Sequence, residues 1–162
     1  MRQGFLLLII LSATGFSSCL KTPASSNIPN IEFSSYTIGD TIDATPQHIK
    51  YVNLKVKFTD GDGDIGLDKT ETDSPYDLNG GYYYNLIATY YELENGVFVK
   101  KSDEKSRIPR LTKYSNKHGL QGFIEVRFDL YVPAKTIRYD IFIYDRALHK
   151  SNVVSTPDIV IS

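Results

Sequence analysis

The chain has 162 residues, a formal charge of −1 and a single cysteine, so one ordinary domain is expected and no intrachain disulfide can form. Positive and negative residues alternate along it without a basic run, which excludes a nucleic-acid surface or a polybasic membrane patch.

Residues 1–18 read as a bacterial lipoprotein signal peptide. Arg2 is the only charge before Phe5-Leu6-Leu7-Leu8-Ile9-Ile10-Leu11, an apolar run of signal-peptide length and too short to cross a bilayer as a helix. The small residues Ser17-Ser18 precede Cys19, as in a lipobox, although Phe16 stands where leucine is usual. Lipidation of Cys19 converts a thiol that would be a liability in an oxidising compartment into a thioether. Acyl chains gain about 0.8 kcal/mol per buried methylene and would anchor the protein without a transmembrane helix. Cleavage leaves 162 − 18 = 144 residues and, with Arg2 gone, a charge of −2. Residues 19–31 are rich in Ser, Pro and Asn, a tether composition. Leu20-Lys21-Thr22-Pro23 carries no acidic cluster of the kind that marks surface export, so the expected address is the outer membrane, facing the periplasm.

Residues 32–162 show period-two alternation and no helical pattern, predicting an all-β domain. Candidate strands are Phe33–Ile38, Tyr51–Phe58, Tyr83–Leu93, Val97–Lys101, Phe123–Val132, Ile137–Asp145 and Val153–Ile161. In the second, Val52, Leu54, Val56 and Phe58 share a face; in the fifth, Ile124, Val126, Phe128, Leu130 and Val132 do. Asn95-Gly96 marks a hairpin. About seven strands fit a two-sheet immunoglobulin-like sandwich, with a closed barrel as the alternative.

The second strand runs into Asp60-Gly61-Asp62-Gly63-Asp64-Ile65-Gly66-Leu67-Asp68. Alternate carboxylates in a tight loop converge on one point, and a hard cation such as Ca²⁺ needs six to eight oxygens at 2.3–2.6 Å. Gly61 and Gly63 permit the turns. Set on an EF-hand loop, Asp60, Asp62 and Asp64 take the first three ligand positions, Gly66 the carbonyl position, Asp68 the ninth and Glu71 the twelfth. Ile65 replaces the glycine such a loop needs, and the flanks are not helical. The expectation is therefore an EF-like loop on a β scaffold, with Ile65 and Leu67 as apolar pins. A solvated Asp-Gly turn is the plainer alternative, but three alternating aspartates exceed what a turn needs. In an immunoglobulin-like sandwich the loop after the penultimate strand lies at the same end, which nominates Asp145 as a further ligand and Asn152 as a carbonyl donor.

Phe58-Thr59-Asp60-Gly61-Asp62-Gly63-Asp64-Ile65-Gly66-Leu67, with Asp145-Arg146-Ala147-Leu148-His149-Lys150-Ser151-Asn152 and Thr156-Pro157 downstream, resembles a group of lipoproteins of Bacteroidota-type bacteria. The resemblance implies an envelope location and a β-sandwich, and brings no established activity.

His48, His118 and His149 lack zinc spacing, and no nucleophile elbow is present. The expectation is a non-catalytic envelope module with a structural Ca²⁺ site, serving binding or assembly with an envelope protein. The alternative is a carbohydrate-binding accessory lipoprotein that stacks glycan on Tyr82, Tyr83 and Tyr84.

Overall fold

A computed structural model describes residues 26–111, 119–131 and 135–161. The signal peptide, Cys19, the first part of the tether, His118 and Val132 lie outside the described residues. Among those described there is no helix; the strands are β1 (Asn30–Ile42), β2 (His48–Asp60), β3 (Leu86–Glu94), β4 (Val97–Ser106), β5 (Leu120–Leu130), β6 (Thr136–Ile143), β7 (Val154–Ser155) and β8 (Ile159–Val160).

They form two antiparallel sheets, ordered β1-β2-β5 and β4-β3-β6-β7, with β8 also on β6. β2 beside β5 in one sheet and β3 beside β6 in the other is the immunoglobulin-like arrangement, with the fourth strand joining the third. The alternation read from sequence is the packing: Val52, Leu54, Val56 and Phe58 of β2 are all buried against Ile137, Tyr139, Ile141 and Ile143 of β6 in one core. Burying each such side chain stabilises the fold by about 1.5–3 kcal/mol. Phe128 of β5 stacks on Tyr139 across the layers, with ring centroids 5.4 Å apart. Asn95 and Gly96 take positive φ of 50° and 82°, the left-handed pair that an Asn-Gly hairpin between β3 and β4 requires.

Several boundaries differ from the expected ones. β1 starts at Asn30, where Ile31 is 1% exposed, so the tether is shorter than residues 19–31. β4 continues through the charged run to Ser106; it is an edge strand, and charged side chains on an edge discourage pairing with other chains. β3 begins only at Leu86, leaving Tyr82, Tyr83 and Tyr84 in the preceding loop. The final stretch breaks into β7 and β8 around Pro157, which has no N–H to give a ladder.

A candidate cation centre at one end of the sandwich

The inward phase of β2 runs Val52, Leu54, Val56, Phe58, and its next member is Asp60, 0% exposed. The inward phase of β6 runs Ile137, Tyr139, Ile141, Ile143, and its next member is Asp145, 2% exposed. Because side chains alternate along a strand, each sheet points one aspartate into the interlayer space at the same end of the molecule. Asp64 joins them, and one carboxylate oxygen from each of Asp60, Asp64 and Asp145 lies within 4.8 Å of the others.

The intervening loop is built to bring Asp64 in. Gly63 turns with φ of 69°, and the Asp64 N–H donates to Asp60 Oδ2 at 2.9 Å. Ile65 then pairs with Asp145 in an antiparallel bridge, and both predicted pins are buried, Ile65 at 1% and Leu67 at 3% exposure. Leu67 exchanges backbone hydrogen bonds with Ile108 and Arg110. Between the pins Gly66 adopts φ of +90°, and a Cβ there would meet the Pro109 carbonyl oxygen at 2.2 Å, so only glycine fits.

Asp145 is fixed by its own turn: Oδ1 accepts from the His149 N–H at 2.7 Å, and Oδ2 lies 2.9 Å from His149 Nδ1. That contact raises the His149 pKa above its ordinary value. The Asp64 carboxylate faces the N–H groups of Arg146 and Ala147. These donors fall short of satisfying the group. Asp60 Oδ1, Asp62 Oδ1 and Asp64 Oδ1 are buried and accept no hydrogen bond among the described residues. Burial, reinforced by repulsion from Asp62, Asp64 and Asp145, pushes the Asp60 carboxyl up to about 7 against the pull of the Asp64 N–H. Burial and repulsion from Asp145 and Asp62 push Asp64 to about 6. Two unit charges at this spacing repel by about 3–4 kcal/mol at an effective dielectric of about 20.

The nearby cations do not relieve this. The Arg146 Nε lies 3.0 Å from Glu71 Oε1, without the alignment of a hydrogen bond. The Arg107 guanidinium donates to the carbonyls of Asp68 and Glu71, at 2.9 and 2.8 Å, and to that of Tyr83 at 2.9 Å, while stacking on the Tyr83 ring. It clamps the long loop after the acidic turn, a role no sequence motif announced. All the oxygens that meet are hard carboxylate donors, a set that could hold a hard metal cation.

The other nominated residues lie elsewhere. Asp62 is close enough to raise the pKa of both Asp60 and Asp64, although it stands outside the tight trio. Asp68 is turned away: its Oδ1 accepts from the N–H and hydroxyl of Thr70, and these bonds hold its carboxyl below the usual range. Glu71 accepts from the Asp68 N–H. Asn152 clasps the backbone of Ile31, accepting from its N–H and donating to its carbonyl, both at 2.8 Å. Nearby, the Gly61 N–H donates to the Ser26 carbonyl at 2.8 Å, so the chain comes into the domain beside the acidic loop. Of the three tyrosines, Tyr82 packs edge-on against Tyr144, Tyr83 lies under Arg107 and edge-on to Tyr84, and Tyr83 and the 38%-exposed Tyr84 line a shallow depression with Leu78, Ile87 and Lys105.

No described helix is long and apolar enough to cross a membrane. No protein-family model, curated protein or solved structure matches this chain.

Proposed function

We propose that this chain is a non-catalytic, lipid-anchored module of the cell envelope in which Ca²⁺ ties the two sheets together at one end. The carrying observation is the set of three buried carboxylate oxygens without a hydrogen-bond partner among the described residues, beside inward-pointing aspartates from both sheets. A divalent cation would supply the missing partner, with Asp60, Asp64 and Asp145 as ligands and Asp62 as a further oxygen donor. The anchor rests on the lipobox-like Phe16-Ser17-Ser18-Cys19, and the resemblance to Bacteroidota-type lipoproteins supports the same setting.

The tether links the two ideas. Cys19 precedes Ser26 by 26 − 19 = 7 residues, which span at most about 25 Å when fully extended. Since the Gly61 N–H holds the Ser26 carbonyl, the cation end faces the leaflet and the β3–β4 hairpin faces away. The ion then stiffens the joint between tether and domain, and the outward end is left to an envelope protein partner in the periplasm. The carbohydrate reading has less behind it, because Tyr82 and Tyr83 spend their rings on Tyr144 and Arg107.

Detergent phase partition of the full chain expressed with its leader tests the anchor. Wild type should enter the detergent phase and Cys19→Ala the aqueous phase; equal partition of the two would remove the lipid from the account.

A further inference from the structure

β1 and β7 border one flank of the sandwich, and the edge strands β4 and β5 border the other. On that second flank, away from the acidic loop, a hollow of about 150 Å³ opens between the sheets. Its floor is aromatic: the Tyr90 and Tyr139 rings lie 5.3 Å apart, centroid to centroid. Glu92, Glu104 and Asp129 line it with one cation, Lys101, so the charge of its lining is −3 + 1 = −2.

The groups differ in how far they are occupied. Lys101 pairs with Glu94 and stands 3.7 Å from Glu92, which also accepts from the Tyr90 hydroxyl at 2.8 Å. Asp129 meets Arg127 at 2.7 Å. Glu104 accepts only from the Ser102 hydroxyl, at 2.7 Å, among the described residues. Tyr139 is 1% exposed, yet its hydroxyl makes no hydrogen bond to a described residue, although it lines the hollow. Burial raises the pKa of both phenols, so they remain neutral.

We propose that this hollow binds an alkylammonium group, the chemistry of a lysine side-chain end. The Glu104 carboxylate supplies the counter-charge, the Tyr139 hydroxyl oxygen accepts an N–H, and the partly buried Tyr90 ring lies beside the methylenes. Size suits the guest: about 150 Å³ has room for about six heavy atoms, the end of an alkylammonium chain. Open to solvent on one side, the hollow suits a reversible guest. The proposal depends on neither the lipid anchor nor the cation centre.

The probe is n-butylammonium, with 1-butanol as its neutral isostere, titrated into the full chain and followed by ligand-detected saturation-transfer NMR. Butylammonium should bind with a Kd of about 1–20 mM and butanol about tenfold more weakly. Glu104→Gln should weaken the amine about fivefold and leave butanol unchanged. Tyr139→Phe, which keeps the ring and its packing, should weaken it about twofold and decides the matter if Glu104→Gln loses the β-sheet circular dichroism. Equal binding of amine and alcohol, full amine binding by the variants, or no binding of the amine at about 50 mM would each overturn the proposal.

Discussion

The acidic end and the flank hollow both set several carboxylates near the interior, but among the described residues only on the flank does a lysine reach them; the acidic end has the His149 imidazole on Asp145 alone. On the flank, Lys101 of β4 reaches Glu92 and Glu94, and hydroxyls of Tyr90 and Ser102 serve Glu92 and Glu104. At the acidic end, Arg146 is aimed at Glu71, Arg107 serves loop carbonyls, and among the described residues His149 hydrogen-bonds Asp145 while Asp62 and Asp64 act on it only through their charge. Three carboxylate oxygens are consequently left with no hydrogen-bond partner among the described residues. The contrast teaches that a charged lining on a solvated flank is balanced by neighbouring side chains, whereas inward aspartates beside the buried Ile65 and Leu67 are left either to hold protons or, on the proposed reading, to take a cation.

The largest way to break this contrast is to spoil the turn that closes the acidic end. Gly66→Ala places a Cβ against the Pro109 carbonyl at a backbone φ of +90°, and should cost about 3 kcal/mol in urea unfolding with or without Ca²⁺. An unchanged midpoint would mean the loop is free to shift.

A pH series sharpens the same difference. Asp60 and Asp64 have folded pKa values of about 7 and about 6, raised from 3.8, so the folded state holds protons that the unfolded chain releases. In calcium-free buffer their contribution to stability is present below about pH 4 and is lost as pH rises to about 7. A cation that favours the ionised carboxylates offsets this loss, so the gain on adding Ca²⁺ should grow across that window. A gain independent of pH, read from urea midpoints, would separate the ion from these two groups.

Arg107→Lys should cost about 1–2 kcal/mol, because an ammonium cannot span the carbonyls of Asp68, Glu71 and Tyr83 as the guanidinium does. Amide exchange should quicken in residues 68–83 and stay unchanged in the β3–β4 hairpin; uniform quickening would deny Arg107 a local role. Asp68→Ala is the smallest change, and the calcium response of this variant should equal that of wild type, since its carboxylate serves Thr70.

Much of this was legible in the sequence, for a simple reason. The alternation read in β2 and β5 is the inward and outward phase of two paired strands of one sheet, and β6 carries the same period in the facing sheet. Carrying that period one step further reaches Asp60 and Asp145, and the inward phase is what makes them interior groups. Asp68 and Glu71 were nominated by EF-hand spacing, which assumes a helix-flanked loop; here the bridge of Ile65 to Asp145 redirects the chain after Asp64. β1 and β4 extend past the sequence-predicted strands because their outer halves carry mostly polar and exposed side chains, with little apolar alternation to mark them. The Arg107 clamp left no signal, since its bonds go to backbone carbonyls that any sequence would offer. Asn152 sits at ligand spacing in the sequence, yet its amide matches the paired donor and acceptor of the Ile31 backbone.

The central claim is that the acidic end is built for a cation, and thermal unfolding of wild type and Asp60→Asn, each with about 5 mM Ca²⁺ and without it near pH 7.5, tests it directly. With a Kd of about 10⁻⁴–10⁻³ M, Ca²⁺ should raise the wild-type melting temperature by about 3–10 °C. Asp60→Asn keeps an oxygen for the Asp64 N–H and removes one charge from the trio. It should therefore melt at or above wild type without Ca²⁺ and gain little from it. Equal responses of the two proteins, or an Asp60→Asn variant several degrees less stable in the absence of Ca²⁺, would contradict the account.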